Sequence, residues 1–277
     1  MKRILVGLDG SEFSDAAVQL GIQWARQSGA LLAGIGIIDK PTIERPEALP
    51  VGGSHYKQER DEILLDEARN RVERFLKQFA ERCTGASVAW SVLEDTGNPY
   101  EQILLEAQRY DLILLGQQTY FHFATQAENC ETLHKVVKSS PRPVVTVPRK
   151  LGDGSSVVIA YDGSLQAARA LQAFQALHLH GSQPVHVVSV NESYVEAIRC
   201  GERAIDFLGA HDIEARNHPI LLTKGSTAEN LLEQVRELDA CFLVMGAYGQ
   251  PTLREFVLGS VTRSLLKDCQ VPIFLYH

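Results

Sequence analysis

The 277-residue sequence has no run of eighteen consecutive apolar residues, so it offers no candidate transmembrane helix. It also lacks an excess of positive charge: 34 acidic residues against 27 Lys and Arg leave a formal net charge of −7. An acidic protein repels a phosphate backbone at long range, which argues against non-specific nucleic-acid binding. Cysteine is sparse and unpatterned. Cys83, Cys130, Cys200, Cys241 and Cys269 are the five present, and no two form C-x-x-C. That spacing argues against a structural zinc site and points to reduced, mostly buried thiols. The opening residues Met1-Lys2-Arg3-Ile4-Leu5-Val6 enter a strand-like run directly. They have neither the apolar length nor the cleavage site of a signal peptide, so a cytoplasmic location is expected. The phosphate loop G-x-x-x-x-G-K-[ST] is absent too. What remains, 45% hydrophobic and 22% charged, is the composition of a chain able to bury a globular core.

The main organisational feature is an internal repeat. Ile4-Leu5-Val6-Gly7-Leu8-Asp9-Gly10-Ser11 resembles Val157-Val158-Ile159-Ala160-Tyr161-Asp162-Gly163-Ser164. Each leads into an Ala-rich helical stretch, Ala16 to Ser28 and Gln166 to His180. The match continues in later apolar runs, Leu31–Ile38 with Pro184–Val190 and Val88–Leu93 with Ala215–Leu222. Two helix openings then correspond, Gly97-Asn98-Pro99 and Gly225-Ser226-Thr227, followed by Asp111–Gly116 with Cys241–Gly246. The repeats close on Pro143–Val147 and Pro272–Tyr276. Self-similarity of this length marks a duplication.

Each half therefore reads β-α-β-α-β-α-β-α-β. Short, continuously apolar strands rich in Val, Ile and Leu are those of a parallel sheet buried on both faces. The expected fold is α/β, with two tandem Rossmann-like domains over 1–149 and 155–277. Each would be a five-stranded parallel sheet with helices on both faces. The polar, Gly-rich segment Lys150–Ser155 reads as the linker. Lys40 to His55 reads as a long surface loop before a Glu/Arg-rich helix from about Tyr56 to Arg82.

Open α/β sheets bind ligands beyond the carboxyl ends of their strands. In the second half, Asp162, Val190 and Gly246 stand at such ends. After Gly246 come two residues, Gly249, nine residues, then Gly259-Ser260, with a helical stretch from Val261 to Asp268. Glycines let a backbone approach an anion closely, and the free N–H groups of a helix start hold phosphate. Ser260 and Thr262 add hydroxyls. A hydrogen bond to a charged group contributes about 1.5–3 kcal/mol, so three or four could support micromolar binding.

Gly246-x2-Gly249-x9-Gly259-Ser260, with Asp162 upstream and Gly-Ser-Val-Thr at 259–262, resembles the ATP-binding motif of universal stress proteins. The resemblance extends over both halves. It implies that Asp162 and Val190 contact adenine, that Met245, Gly246 and Gly249 flank the ribose and phosphates, and that Gly259, Ser260, Val261 and Thr262 hold the triphosphate. ATP, accompanied by Mg2+, is the implied cofactor. In single-domain members of that family the last strands pair across a dimer. Two domains on one chain could satisfy the pairing internally, as a covalent pseudo-dimer, with a homodimer of chains as a further association.

The first half keeps Asp9 and Gly116 but then departs from the motif. Gln117-Gln118-Thr119-Tyr120 replaces the second glycine, and Cys130-Glu131 stands where the second half has Gly259-Ser260. A carboxylate at a phosphate position opposes binding, by about 4 kcal/mol for a unit pair at ~4 Å and an effective dielectric near 20. No ATP is expected there by this route.

Catalytic residues are not identified: the motif has no lysine and no carboxylate clearly placed to activate water. Arg254 and Arg263 are its nearest cations. The leading reading is an ATP-binding stress-response regulator. An interaction module with an empty pocket and a slow ATPase or autophosphorylating protein stand as alternatives. No metal site is expected. His178 and His180, two apart at a helix end, face opposite sides; His122 and His134 flank the degraded site. The Glu59–Glu81 helix reads as a solvated face with internal charge pairs, and Trp24 and Trp90 as packing residues.

Overall fold

The short apolar runs form strands, and the alanine-rich segment after each Asp-Gly-Ser forms a helix that starts at a serine cap. In this computed structural model the described residues are 1–50, 53–121, 131–247 and 259–277. They divide into two compact units, Lys2–Val136 and Val137–His277.

The elements of the first repeat are β1 (Arg3–Leu8), α1 (Glu12–Ser28), β2 (Leu31–Ile38), α2 (Lys40–Ile43), α3 (Ser54–Gly85), β3 (Trp90–Thr96), α4 (Pro99–Ala107), β4 (Leu112–Gly116), α5 (Glu131–Ser139) and β5 (Val144–Val147). Ser11 caps α1 by accepting the Ser14 N–H, and Asn98 caps α4 by accepting the Tyr100 N–H. The expected loop over 40–55 contains the one-turn helix α2, started by Asp39 with Pro41 in its first turn. The charged helix α3 runs longer at both ends than anticipated. Trp90, expected to be a packing residue, is 39% exposed on β3, its indole N–H donating to Thr84.

In the unit Lys2–Val136 the strands lie in the order β3-β2-β1-β4, and their pairings are parallel. The core is the continuous apolar content of β1, β2 and β4, buried on both faces.

The second repeat contributes β6 (Ser156–Ala160), α6 (Leu165–Leu177), β7 (Val185–Asn191), α7 (Tyr194–Gly209), β8 (Ala215–Leu221), α8 (Thr227–Glu237), β9 (Ala240–Gly246), α9 (Ser260–Asp268) and β10 (Ile273–Tyr276). The order in the unit Val137–His277 is β5-β10-β9-β6-β7-β8. With the right-handed crossovers that parallel strands favour, this order puts α6 and α7 on one face and, after the direction reverses at β8, α8 and α9 on the other. The reversal puts the carboxyl ends of β6 and β9 side by side, where a crevice forms in folds of this class.

The last strands of the two repeats make, within the chain, the pairing that the family resemblance implied for them. β5 pairs antiparallel with β10, Thr146 opposite Ile273 and Val144 opposite Leu275, so the sheet is mixed and β5 packs within Val137–His277. The physical reason is edge satisfaction: β5 and β10 are both short, apolar and buried, and each covers the other's open backbone groups. The Tyr276 hydroxyl also donates to the Pro141 carbonyl.

Candidate functional site

Three strand ends and one helix start carry the residues singled out in the second repeat. β6 ends at Ala160, and the Tyr161 N–H still donates to Val188 of β7 at 3.0 Å. The Ser189 hydroxyl donates to the Tyr161 carbonyl at 2.7 Å, which locks the ends of β6 and β7 together. Asp162 then turns the chain. Its Oδ1 accepts the Ser164 N–H at 2.9 Å, Gly163 takes φ of +77°, and Ser164 caps α6 through the Ala167 N–H. Gly163 is the residue type that this left-handed conformation favours. The Asp162 side chain is exposed.

On either side stand Val190, half-buried near the end of β7, and Met245, buried near the end of β9. Gly246 closes β9. A Cβ there would lie 2.5 Å from the Ala167 nitrogen and from the Gln166 carbonyl carbon, so this glycine lets the backbone of α6 reach the sheet. Gly249 and Arg254 lie outside the described residues.

Helix α9 starts differently from its neighbours. Serine side chains cap α6, α7 and α8, with a full capping box of Ser226 and Glu229 on α8. The N-cap of α9 is Gly259, which makes no side-chain cap bond. Its φ of −51° is open to any residue. Among the described residues, the nearest atom to a Cβ placed there is the Thr262 hydroxyl oxygen at 3.9 Å. Neither strain nor crowding from the described residues calls for glycine at 259. The first-turn N–H groups of Ser260, Val261 and Thr262 precede the first intrahelical bond, from Arg263 N–H to the Gly259 carbonyl. Ser260 is exposed, Val261 half-buried and Thr262 buried.

The first repeat arranges the same residues as a closed structure. Asp9, the counterpart of Asp162, is buried. Its Oδ1 accepts the Ser11 N–H and hydroxyl at 2.9 and 2.6 Å, and its Oδ2 accepts the Tyr120 N–H at 2.6 Å. Burial pushes the Asp9 carboxyl above the ordinary aspartate value, against these hydrogen bonds, which pull it down. Gly10 repeats the positive φ of Gly163, but the Phe75 ring of α3 lies over it. At Gly163 the nearest atom to a Cβ is the Cys200 sulfur of α7, 3.3 Å away. Phe121 is fully buried against Gly7. The sequence reading missed Phe75 and the Tyr120 N–H, since neither has a spacing signal.

His178 ends α6 in a left-handed conformation, and its ring centroid lies 6.5 Å from that of His180. No group of three or more His, Cys, Asp or Glu placed to hold a metal occurs among the described residues. None of their helices is long and apolar enough to cross a membrane.

Comparison with known proteins agrees with this architecture. Universal stress protein Slr1230 of Synechocystis sp. is 23% identical over 294 residues, covering all of both chains. The crystal structure of a universal stress protein from Archaeoglobus fulgidus superposes with a TM-score of 0.74 at 19% identity, covering 99% of this chain and 97% of that one. A universal stress protein from Pseudomonas aeruginosa superposes at 0.59 with 13% identity, over 100% and 93% of the two chains. At these identities the structures speak for the fold alone. The model of the universal stress protein family matches twice, over residues 1–148 and 155–277. With both repeats matched, the chain belongs to the universal stress protein family.

Proposed function

We propose that this protein is an adenine-nucleotide-binding stress-response regulator that holds ATP, with Mg2+, in its second repeat. The observation that carries the reading is the start of α9. A glycine stands at a position where the described residues would admit a side chain, on a helix with no side-chain cap. Such a helix start offers N–H groups and the positive end of a dipole to an anion. Gly259, Ser260, Val261 and Thr262 would hold the phosphates, with Gly249 nearby in sequence. Asp162 and Val190 would receive the base, and Met245 and Gly246 the ribose side. Asp162 supports this role because it is exposed, with its Oδ1 accepting the Ser164 N–H, whereas Asp9 is buried and accepts through both carboxylate oxygens. The first repeat, with Phe75 over Gly10, serves as structural partner. The motif has no lysine, which favours binding over turnover. Repeats over 1–149 and 155–277, a cytoplasmic setting and association of two chains belong to the same reading.

The test is calorimetric titration of the nucleotide-stripped protein with ATP and Mg2+, beside Gly259→Glu. One site per chain, lost in the variant, is the expected result. No heat in the wild type, or two sites per chain, would overturn it.

A further inference from the structure

His186 of β7 and His218 of β8 form a close imidazole pair. Nδ1 of His186 lies 2.9 Å from Nε2 of His218, with ring centroids 4.9 Å apart and planes at 60°. The parallel register sets His186 opposite Arg216 and His218 opposite Val188, so the rings meet diagonally across the two strands. Asn217, between Arg216 and His218, faces α7: its amide donates to the Ile198 carbonyl, and a Cβ on Gly201 would strike it. Strand alternation therefore turns both histidines to the opposite face, where α8 packs. β8 is the edge strand of its unit, and it contains Pro219, which an edge tolerates.

In the neutral state one ring nitrogen donates and the other accepts. The surroundings favour that state. His186 is 8% exposed. From β8 the charged neighbour is Arg216, a cation. From β6 the residue opposite His186 is Val158, which is apolar. From α8 the buried side chains are Ala228, Leu231 and Val235, while Glu229, Glu233, Arg236 and Glu237 are exposed. Burial first, then positive neighbours, hold both imidazoles below the usual histidine range. One proton on the pair leaves an N–H···N bond in place. A second makes both facing nitrogens donors and sets two cations against each other, so the bond cannot persist.

We propose that the His186–His218 pair is a proton-operated clasp, which pins edge strand β8 to β7 while neutral and releases that edge on acidification. The sign follows from linkage. Both rings bind protons more readily in the unfolded chain, so the clasp contributes fully above the ordinary histidine value and is lost as pH falls below it.

Hydrogen exchange of the full-length protein followed by mass spectrometry tests this, from about pH 7.5 to about pH 5, with intrinsic exchange rates divided out. Protection of the 215–221 peptide is expected to fall about tenfold or more, while the β2 peptide, 31–38, keeps its protection. In His218→Gln and, separately, His186→Gln, protection of 215–221 should be reduced at pH 7.5 and flat with pH. Wild-type protection of 215–221 that tracks β2 throughout would overturn the proposal. So would a glutamine variant that keeps the wild-type pH dependence.

Discussion

The ring of Phe75 lies over Gly10 so closely that a methyl group at position 10 would sit 2.1 Å from its Cζ. A left-handed glycine and an aromatic ring from α3 thus fill the place that, in the second repeat, is bordered by the smaller Cys200. Phe75→Ala should lower stability by about 1–3 kcal/mol, less than for a fully buried ring because Phe75 is half-exposed. Denaturant unfolding would measure this. ATP stoichiometry in calorimetry should stay at one per chain, because the Tyr120 N–H still bonds to Asp9.

The two described glycines of the motif should separate by phenotype. Gly246→Ala places a methyl group 2.5 Å from the backbone of α6 and should cost about 1–3 kcal/mol, read as a drop in Tm. Gly259→Ala meets no described atom within 3.9 Å and should leave Tm within a few degrees. Its ATP affinity should fall about tenfold, a loss of about 1.4 kcal/mol in binding. Equal effects of the two on Tm would contradict this division.

The capping box on α8 gives a control at residues not assigned to ATP. Ser226 accepts the Glu229 N–H at 3.2 Å, and Glu229 accepts the Ser226 N–H at 2.7 Å. Ser226→Ala should cost about 1 kcal/mol, seen as a lower denaturation midpoint with an unchanged slope.

Asp9 should titrate in the direction opposite to an ion-paired carboxylate. Its folded value is raised, so its contribution to stability is fully present below the ordinary aspartate value and is lost as pH rises through the folded one. Carbon-13 titration of the side-chain carboxyl should place the Asp9 midpoint above the ordinary 3.8. A midpoint at or below that value would show that the hydrogen bonds from Ser11 and Tyr120 outweigh burial.

The duplicated strand–Asp-Gly-Ser–helix pattern was legible because it is local: apolar runs, caps and turn glycines act over a few residues. Ser11, Ser164 and Asn98 start helices where their sequence context implies. The pairing of the two last strands was legible through the family resemblance, whereas the partner of Phe75 was not, because it lies in a segment distant in the chain and carries no period. Gly246 and Gly259 look alike in the motif, yet one is crowded by α6 and the other is not, a distinction that only coordinates supply.

The pairing of Val144 with Leu275 joins the last strand of the first repeat to the last strand of the second, positions about 130 residues apart. Closing a flexible loop of that length costs about 4 kcal/mol in chain entropy before any contact rewards it. A fragment cut at the 150–155 linker would keep every residue of the second repeat and still present the Ile273–Tyr276 edge unpaired, inviting association with another copy.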